Sequence, residues 1–426
     1  MTTINSAEKT QQKWRAAFPA AVASLLLCTA VFTASAAEFE MPGNRTASEI
    51  LTPEELVGPH YRIQEKVVSY GYMHHWAVES DFGAFEVTGD GALRKLSREI
   101  RAIAALKKIS TAEAVGDSLV VAAKRPFQFF GDLITHPVDT VSGIPEGVGT
   151  IFGNVSEAIS MEHDPSEDSR LEQALFVSSW KRDFCKEFHC DVYSSNKVLQ
   201  KELNRLGWAA AIGGLSVSAA TMATSAAAVT VLSSMRLADQ LKDALNEEPP
   251  SRLKIINEEK LLSMGISPDL VERFLAHPHY TPRHDTIITA SLAGLGSATG
   301  RETFIEAALQ AQDEVAATFY MNIAQTMLGY NDTVAPIEQL AVVYGFPVAR
   351  SSKNSALMPF PLDHGVWSER GSQVMKALME KYKAKGFTGG FDLWVTGTLS
   401  PIAQERLADL GYRVTENVDE KIGFLD

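Results

Sequence analysis

Cysteine is scarce in this chain, with three in 426 residues. That excludes a disulfide-dense scaffold, which needs many bridges. A surplus of positive charge is also lacking. Lys and Arg number 39 against 52 Asp and Glu, for a formal net charge of −13. The chain as a whole therefore has no basic footprint for nucleic acid. Charged residues make up 21% and apolar residues 45%, which excludes a wholly disordered chain, a collagen and a polytopic membrane protein. There is no internal repeat and no long low-complexity stretch. A Gly-x-Ser-x-Gly nucleophile elbow and a P-loop lysine are missing. The acidic run 162–170 lacks the alternation and central glycine of a calcium loop. No cofactor is expected from any motif.

What is present starts with an address. Lys9, Lys13 and Arg15 precede an uncharged run from Ala16 to Thr33, and Ala34-Ser35-Ala36-Ala37 closes it. This is the three-part pattern of an export signal over 1–37, and it points to a periplasmic or cell-envelope location. Two cysteines lie beyond it, Cys185 and Cys190. In an oxidising compartment their expected state is a local disulfide. A metal site formed with His189 lacks a fourth ligand nearby.

The length suggests two or three domains. After the leader, 38–90 reads as a tail and a small β element, with two or three short antiparallel strands between Tyr61 and Val87. Residues 91–245 read as helical. Leu93, Leu96, Ile100, Ile103 and Leu106 recur at helical spacing in a helix over 92–109. Ser110 opens another helix, and glycines and prolines break up 126–160. From Leu206 to Met235 no residue is charged, but twenty of the thirty are Ala, Gly, Ser or Thr. A core helix over 206–235 is expected, with a membrane anchor as the alternative. A linker at 246–252 leads to a helical region at 253–333, where Ser267-Pro268 and Thr281-Pro282 mark helix starts. The C-terminal 334–426 reads as an α/β subdomain. It has a hairpin over 346–361, then a strand–helix–strand unit that implies a parallel pair. The fold class expected is mainly α with α+β elements: a small N-terminal antiparallel β element, a central helical region and a C-terminal α/β subdomain.

No motif names a catalytic residue. His277, His279 and His284, with Asp285, place three imidazoles and a carboxylate within nine residues, the types that ligate zinc. His74-His75 is a weaker pair, because neighbours on a strand face opposite ways. Asp363-His364 is an acid beside a base whose orientation the sequence does not give. Thr396-Gly397-Thr398 lies between a strand and a helix start, where an anion can bind. Arg94, Lys95, Arg98, Arg101, Lys107 and Lys108 make one helix locally basic, a face for an anionic membrane surface or an acidic protein partner. The protein's own acids are the competing partners for those cations. The leading expectation is an exported envelope protein that associates with a membrane surface or a partner without catalysis. The alternatives are a secreted or periplasmic hydrolase, metal-dependent if the histidines converge, and an integral protein anchored by 206–235. Oligomeric state is not written in the sequence.

Overall fold

Thr52 and Glu55 close a capping box around Pro53, as the local sequence predicts, and so start the short helix α1 (Pro53–Leu56). Around it run β1 (Arg45–Thr46), β2 (Val57–Gly58), β3 (Tyr61–Ile63), β4 (Lys66–Tyr70), β5 (Met73–Ser80) and β6 (Gly83–Thr88). They form one six-stranded antiparallel sheet built on β5. β6 pairs along β5, while β3 and β4 pair with its two ends. Along β5 the buried residues alternate, so His74, Trp76 and Val78 share the inner face. The helix α2 (Asp90–Thr111) covers that face with Leu93, Leu96 and Ile100. Its second half buries Ile103 and Leu106 against Phe184, Leu199 and Leu203. Each such side chain contributes roughly 1.5–3 kcal/mol by leaving water.

The computed structural model describes residues 39–41, 43–111, 167–212, 241–242, 244–384 and 387–425. The expected leader 1–37, the helix after Ser110, the broken stretch 126–160 and residues 213–235 of the uncharged run lie outside the described residues. Among the described residues no helix is long and apolar enough to cross a membrane.

The central region comprises α3 (Glu167–Phe188), α4 (Lys197–Ile212), α5 (Pro250–Ser263), α6 (Pro268–Leu275), α7 (Pro282–Gly294), α8 (Arg301–Ala308) and α9 (Glu314–Thr333). Ser267 and Thr281 occupy the N-caps of α6 and α7, each followed by proline, as their sequence predicts. α9 buries Ile323, Met327 and Tyr330 and carries the core onward to the C-terminal strands.

There, β7 (Ile337–Val343), β8 (Phe346–Ser351) and β9 (Ala356–Phe360) form an antiparallel meander. The chain continues through β10 (His364–Gly365), α10 (Glu369–Ala384), β11 (Phe391–Val395), β12 (Thr398–Leu399), α11 (Pro401–Leu410), β13 (Tyr412–Thr415) and α12 (Val418–Ile422). The sheet order is β13-β11-β9-β8-β7. β9, β11 and β13 are parallel, so helical crossovers connect them. β11 is buried along its whole length. Trp394 packs on Tyr330 of α9, and Leu393 packs among residues of α10 and α11.

This architecture corrects the mainly helical expectation. The fold is mixed α+β: the described residues are about 53% helix and 20% strand, with a six-stranded antiparallel, a five-stranded mixed and a two-stranded parallel sheet. The strands escape a periodicity search because they are short or irregular. β1, β2, β10 and β12 have two residues and β3 has three, below the four to eight residues over which alternation can be counted. In β7 the register shifts between Ile337 and Gln339, which breaks the alternation.

Candidate active site at the junction of the two larger sheets

β4 and β5 are joined by the turn Gly71-Tyr72, with φ of +61° and +68°. Two positive φ values define the hairpin turn that matches strand twist. Glycine adopts them freely and tyrosine does not. The C-terminal subdomain holds Tyr72 in place. The Tyr72 carbonyl accepts from the N–H groups of Asp363 at 3.0 Å and His364 at 3.2 Å. Its hydroxyl lies 2.7 Å from Ser368 Oγ, and its ring meets Phe360 edge-on. The hairpin tip is thereby fixed to the loop after β9.

The hairpin register sets Ser69 directly opposite His74, on the inner face of the sheet. His74 is 2% exposed. Its Nδ1 is 2.9 Å from Asp90 Oδ1, which also accepts from Trp76 Nε1 at 3.0 Å. A carboxylate at Nδ1 selects the tautomer with the proton on Nδ1 and the lone pair on Nε2. That Nε2 is buried and, among the described residues, has no hydrogen-bond partner. Ser69 Oγ is likewise buried without one. Leaving a buried polar atom unsatisfied costs about 1–3 kcal/mol, and here two such atoms sit on facing strands.

Asp363 supports this pair from behind. It accepts from the His74 N–H at 2.7 Å and the Asp90 N–H at 3.0 Å. The second amide opens α2, where a carboxylate is favoured by the helix dipole. Burial, and then the negative charge of Asp90, push Asp363 up to about 6. Gly89, at φ +100°, makes the bend into α2, and a Cβ there would fall 2.9 Å from the Met73 side chain.

The ligand atoms of His74, Asp90 and Asp363 all lie within 4.8 Å of one another, so the set could hold a divalent cation. The Asp363 oxygens already accept two amides, however, and Asp90 Oδ1 accepts an indole N–H and faces the imidazole. This fits a carboxylate that orients a base better than it fits a ligand set. Beside it a pocket of about 130 Å³ is lined by residues including Arg45, Ser69, Tyr72 and His364. The loops after β9, β11 and β13 also meet here. Thr398 N–H donates to Asp363 O and Asn417 N–H to Gly397 O, both at 3.0 Å. The carboxyl ends of parallel strands are where α/β sheets commonly bind ligands.

Of the residues singled out from sequence, His74, Asp363 and His364 fall here, with Thr398 hydrogen-bonded to the last two; the histidine loop, the basic helix and the cysteines fall elsewhere. His277 and His279 lie side by side, rings 5.7 Å apart. His284 is turned away into the core, its Nδ1 2.8 Å from Thr281 Oγ1 and its Nε2 3.0 Å from Thr318 Oγ1. Burial, and then the charge of Lys95, lower it to about 4. Among the described residues these three imidazoles do not form a ligand cluster. On α2, Arg94 pairs with Asp419 at 3.2 Å, Lys95 with Asp191 at 2.8 Å and Lys107 with Glu202 at 3.1 Å. Arg98 and Lys108 also have partners, and Arg101 is exposed. Cys185 and Cys190 face each other with sulfurs 2.6 Å apart and unbonded, and burial raises the Cys185 thiol. Thr396 exchanges hydrogen bonds with the Leu362 backbone, and Glu416 takes the Leu399 N–H. The turn before α11 is thus closed by the protein's own groups.

Ser69 and Asp90 carried no sequence motif. One signal for His74 was available: it lies two residues before Trp76 on a strand with alternating burial, which turns it inward while His75 points out. Searches against protein-family models, curated proteins and solved structures gave no match.

Proposed function

We propose that the protein is a hydrolase of the acyl-transfer type, with Ser69 as nucleophile, His74 as general base and Asp90 as the group that orients His74. The observation that carries this reading is the pair of buried, unpartnered atoms His74 Nε2 and Ser69 Oγ on directly opposed residues. Opposed residues bring their Cβ atoms to roughly 4.5–5.5 Å, a gap that a serine can close by rotating about χ1. Such contacts are commonly long without substrate and tighten when it binds. The same three roles recur on unrelated folds and in any chain order.

In the reaction, Ser69 Oγ attacks the acyl carbon and passes its proton to His74 Nε2. The tetrahedral adduct expels the alcohol oxygen, which takes that proton and leaves an acyl-serine. Water then attacks the acyl carbon and gives a proton to Nε2. Ser69 Oγ departs with that proton, so that ester and water become acid and alcohol. Asp90 stabilises the imidazolium in both halves, and Asp363 keeps Asp90 and His74 aligned through their backbone amides.

The composition of 1–37 supports an exported hydrolase. Membrane-surface association has less to draw on, because Arg94, Lys95 and Lys107 are engaged by Asp419, Asp191 and Glu202. An oxidising compartment would also close Cys185 and Cys190 into a local bridge, worth about 2 kcal/mol for so short a loop. Non-reducing mass spectrometry with alkylation at lysis should find both thiols blocked, and free thiols would contradict the bridge. The function is tested with neutral 4-nitrophenyl esters. Wild type should hydrolyse them, and Ser69→Ala and His74→Gln should each lose about 10²–10⁴-fold in kcat while still folding. Hydrolysis that survives Ser69→Ala would overturn the assignment.

A further inference from the structure

The pocket wall beside Ser69 carries a cation that the chain itself does not neutralise. Arg45 is half-buried, and its backbone is fixed opposite Val67 by the β1–β4 pairing. Among the described residues its guanidinium has no ion pair and no hydrogen bond. Other described cations without a carboxylate, such as Arg62, Arg101 and Arg370, are exposed to water, whereas Arg45 is half-buried; Arg94, Lys95, Lys107 and Arg413 each reach a carboxylate.

The two acids whose charges reach this wall, Glu40 and Glu416, hydrogen-bond to neutral groups and make no ion pair with Arg45. Glu40 accepts from the Trp367 N–H and from Ser400 Oγ. Glu416 accepts from the Leu399 N–H and Gln404 Nε2. Of the other titratable groups on the wall, Tyr72 holds Ser368 Oγ and His364 shares its Nδ1 with Thr398 Oγ1 at 2.9 Å. Burial, and then the positive charge of Arg45, hold His364 below its usual range. The wall therefore offers one fork-shaped cation with unused donors.

We infer that the substrate carries an anionic group, a carboxylate or a phosphate, which Arg45 binds while the acyl carbon lies at Ser69. This rests on the hydrolase reading for the second half of the statement only. A planar guanidinium binds either oxyanion with two parallel hydrogen bonds, and a pocket shared with Ser69 limits the anion to a short distance from the bond that is cut. The preferred substrate is thus a small ester or thioester bearing an acid group, not a neutral lipid.

Two measurements test this. The first is calorimetric binding of glutarate and, separately, inorganic phosphate to wild type and to Arg45→Ala. At least one should bind wild type, with affinity reduced tenfold or more in the variant, and the comparison of the two distinguishes carboxylate from phosphate. The second is the ratio of kcat/KM for the 4-nitrophenyl monoester of glutaric acid over 4-nitrophenyl butyrate. Wild type should favour the anionic ester at least tenfold, mainly through KM. Arg45→Ala should bring the ratio toward one, and Arg45→Lys should restore part of it. Melting curves establish that both variants fold. Arg45-dependent binding without any hydrolysis would overturn the enzyme and leave the anion site standing. Hydrolysis at Ser69 with no anionic preference, or with a preference that survives Arg45→Ala, would overturn the inference and leave the enzyme. Failure of both anions to bind wild type would also overturn it.

Discussion

His74 and His284 are equally buried, at 2% and 4% exposure, yet they are held in opposite ways. Both nitrogens of His284 meet threonine hydroxyls, one at the N-cap of its own helix and one on α9. It closes a helix start and joins two helices, and nothing is left over. His74 has a carboxylate on one nitrogen and nothing on the other. Burial alone does not separate the two, nor does residue type. What separates these two is whether both ring nitrogens are satisfied and, for His74, that the unpartnered nitrogen faces an unpartnered serine on the opposed strand. His284 is therefore a link between two helices, and the site we propose lies instead at the hairpin 69–76.

The largest expected effect is a crossover between the two histidines. His74→Gln should lower ester hydrolysis by at least two orders of magnitude. His284→Gln should leave the rate within about twofold, because His284 has no part in the pocket. Equal losses from both substitutions would break the distinction.

The next effect is on stability and should run the other way. His284→Ala leaves Thr318 Oγ1 without its partner and Thr281 Oγ1 with only the backbone N–H of residue 284, and should cost about 1–3 kcal/mol. His74→Gln keeps an acceptor and a donor near Asp90, and should cost less. Chemical denaturation of the two variants measures the difference.

The effect that reaches least far from the proposed site is a pH dependence beside His284. Burial pushes Asp285 up to about 7, against about 3.9 in an unfolded chain. The folded protein therefore holds a proton that the unfolded chain has released. The stability this confers is complete below pH 4 and is lost as pH rises through 7. Asp285→Asn removes that loss. Relative to wild type the variant should gain at most about 4 kcal/mol between pH 4 and pH 8, seen as a melting temperature that falls less with pH. A constant difference across that range would show that the Asp285 carboxyl titrates normally.

Much of the local structure could be read from the chain because it depends on near neighbours. The capping box at Thr52 and Glu55, the proline starts at Pro268 and Pro282, and the hairpin near 346–360 are all set within a few residues. So is the parallel pair β11 and β13, whose connecting helix and strand lengths leave few alternatives. The expected mainly helical fold was wrong where strands were too short to show a period, as in β1 to β3. The candidate site was hidden for a different reason. His74 and Asp363 each stood out weakly, in pairs with the adjacent His75 and His364. Their actual relation spans 289 residues and exists only because Tyr72 pins the hairpin tip to the loop after β9. Ser69 and Asp90 acquire a role only through strand register and a helix start, neither of which marks the residue type. Arg45 was invisible for the same reason, because a cation is notable only when the acids around it are counted in three dimensions.

The central claim is that Ser69 is a nucleophile activated by His74, and labelling with a fluorophosphonate tests it most directly. The reagent phosphonylates an activated serine and spares ordinary hydroxyls. Peptide mapping of labelled wild-type protein should find the adduct on Ser69, and His74→Gln should slow its formation by at least 100-fold. No adduct on Ser69, or an adduct formed equally fast in the His74→Gln protein, would contradict the account.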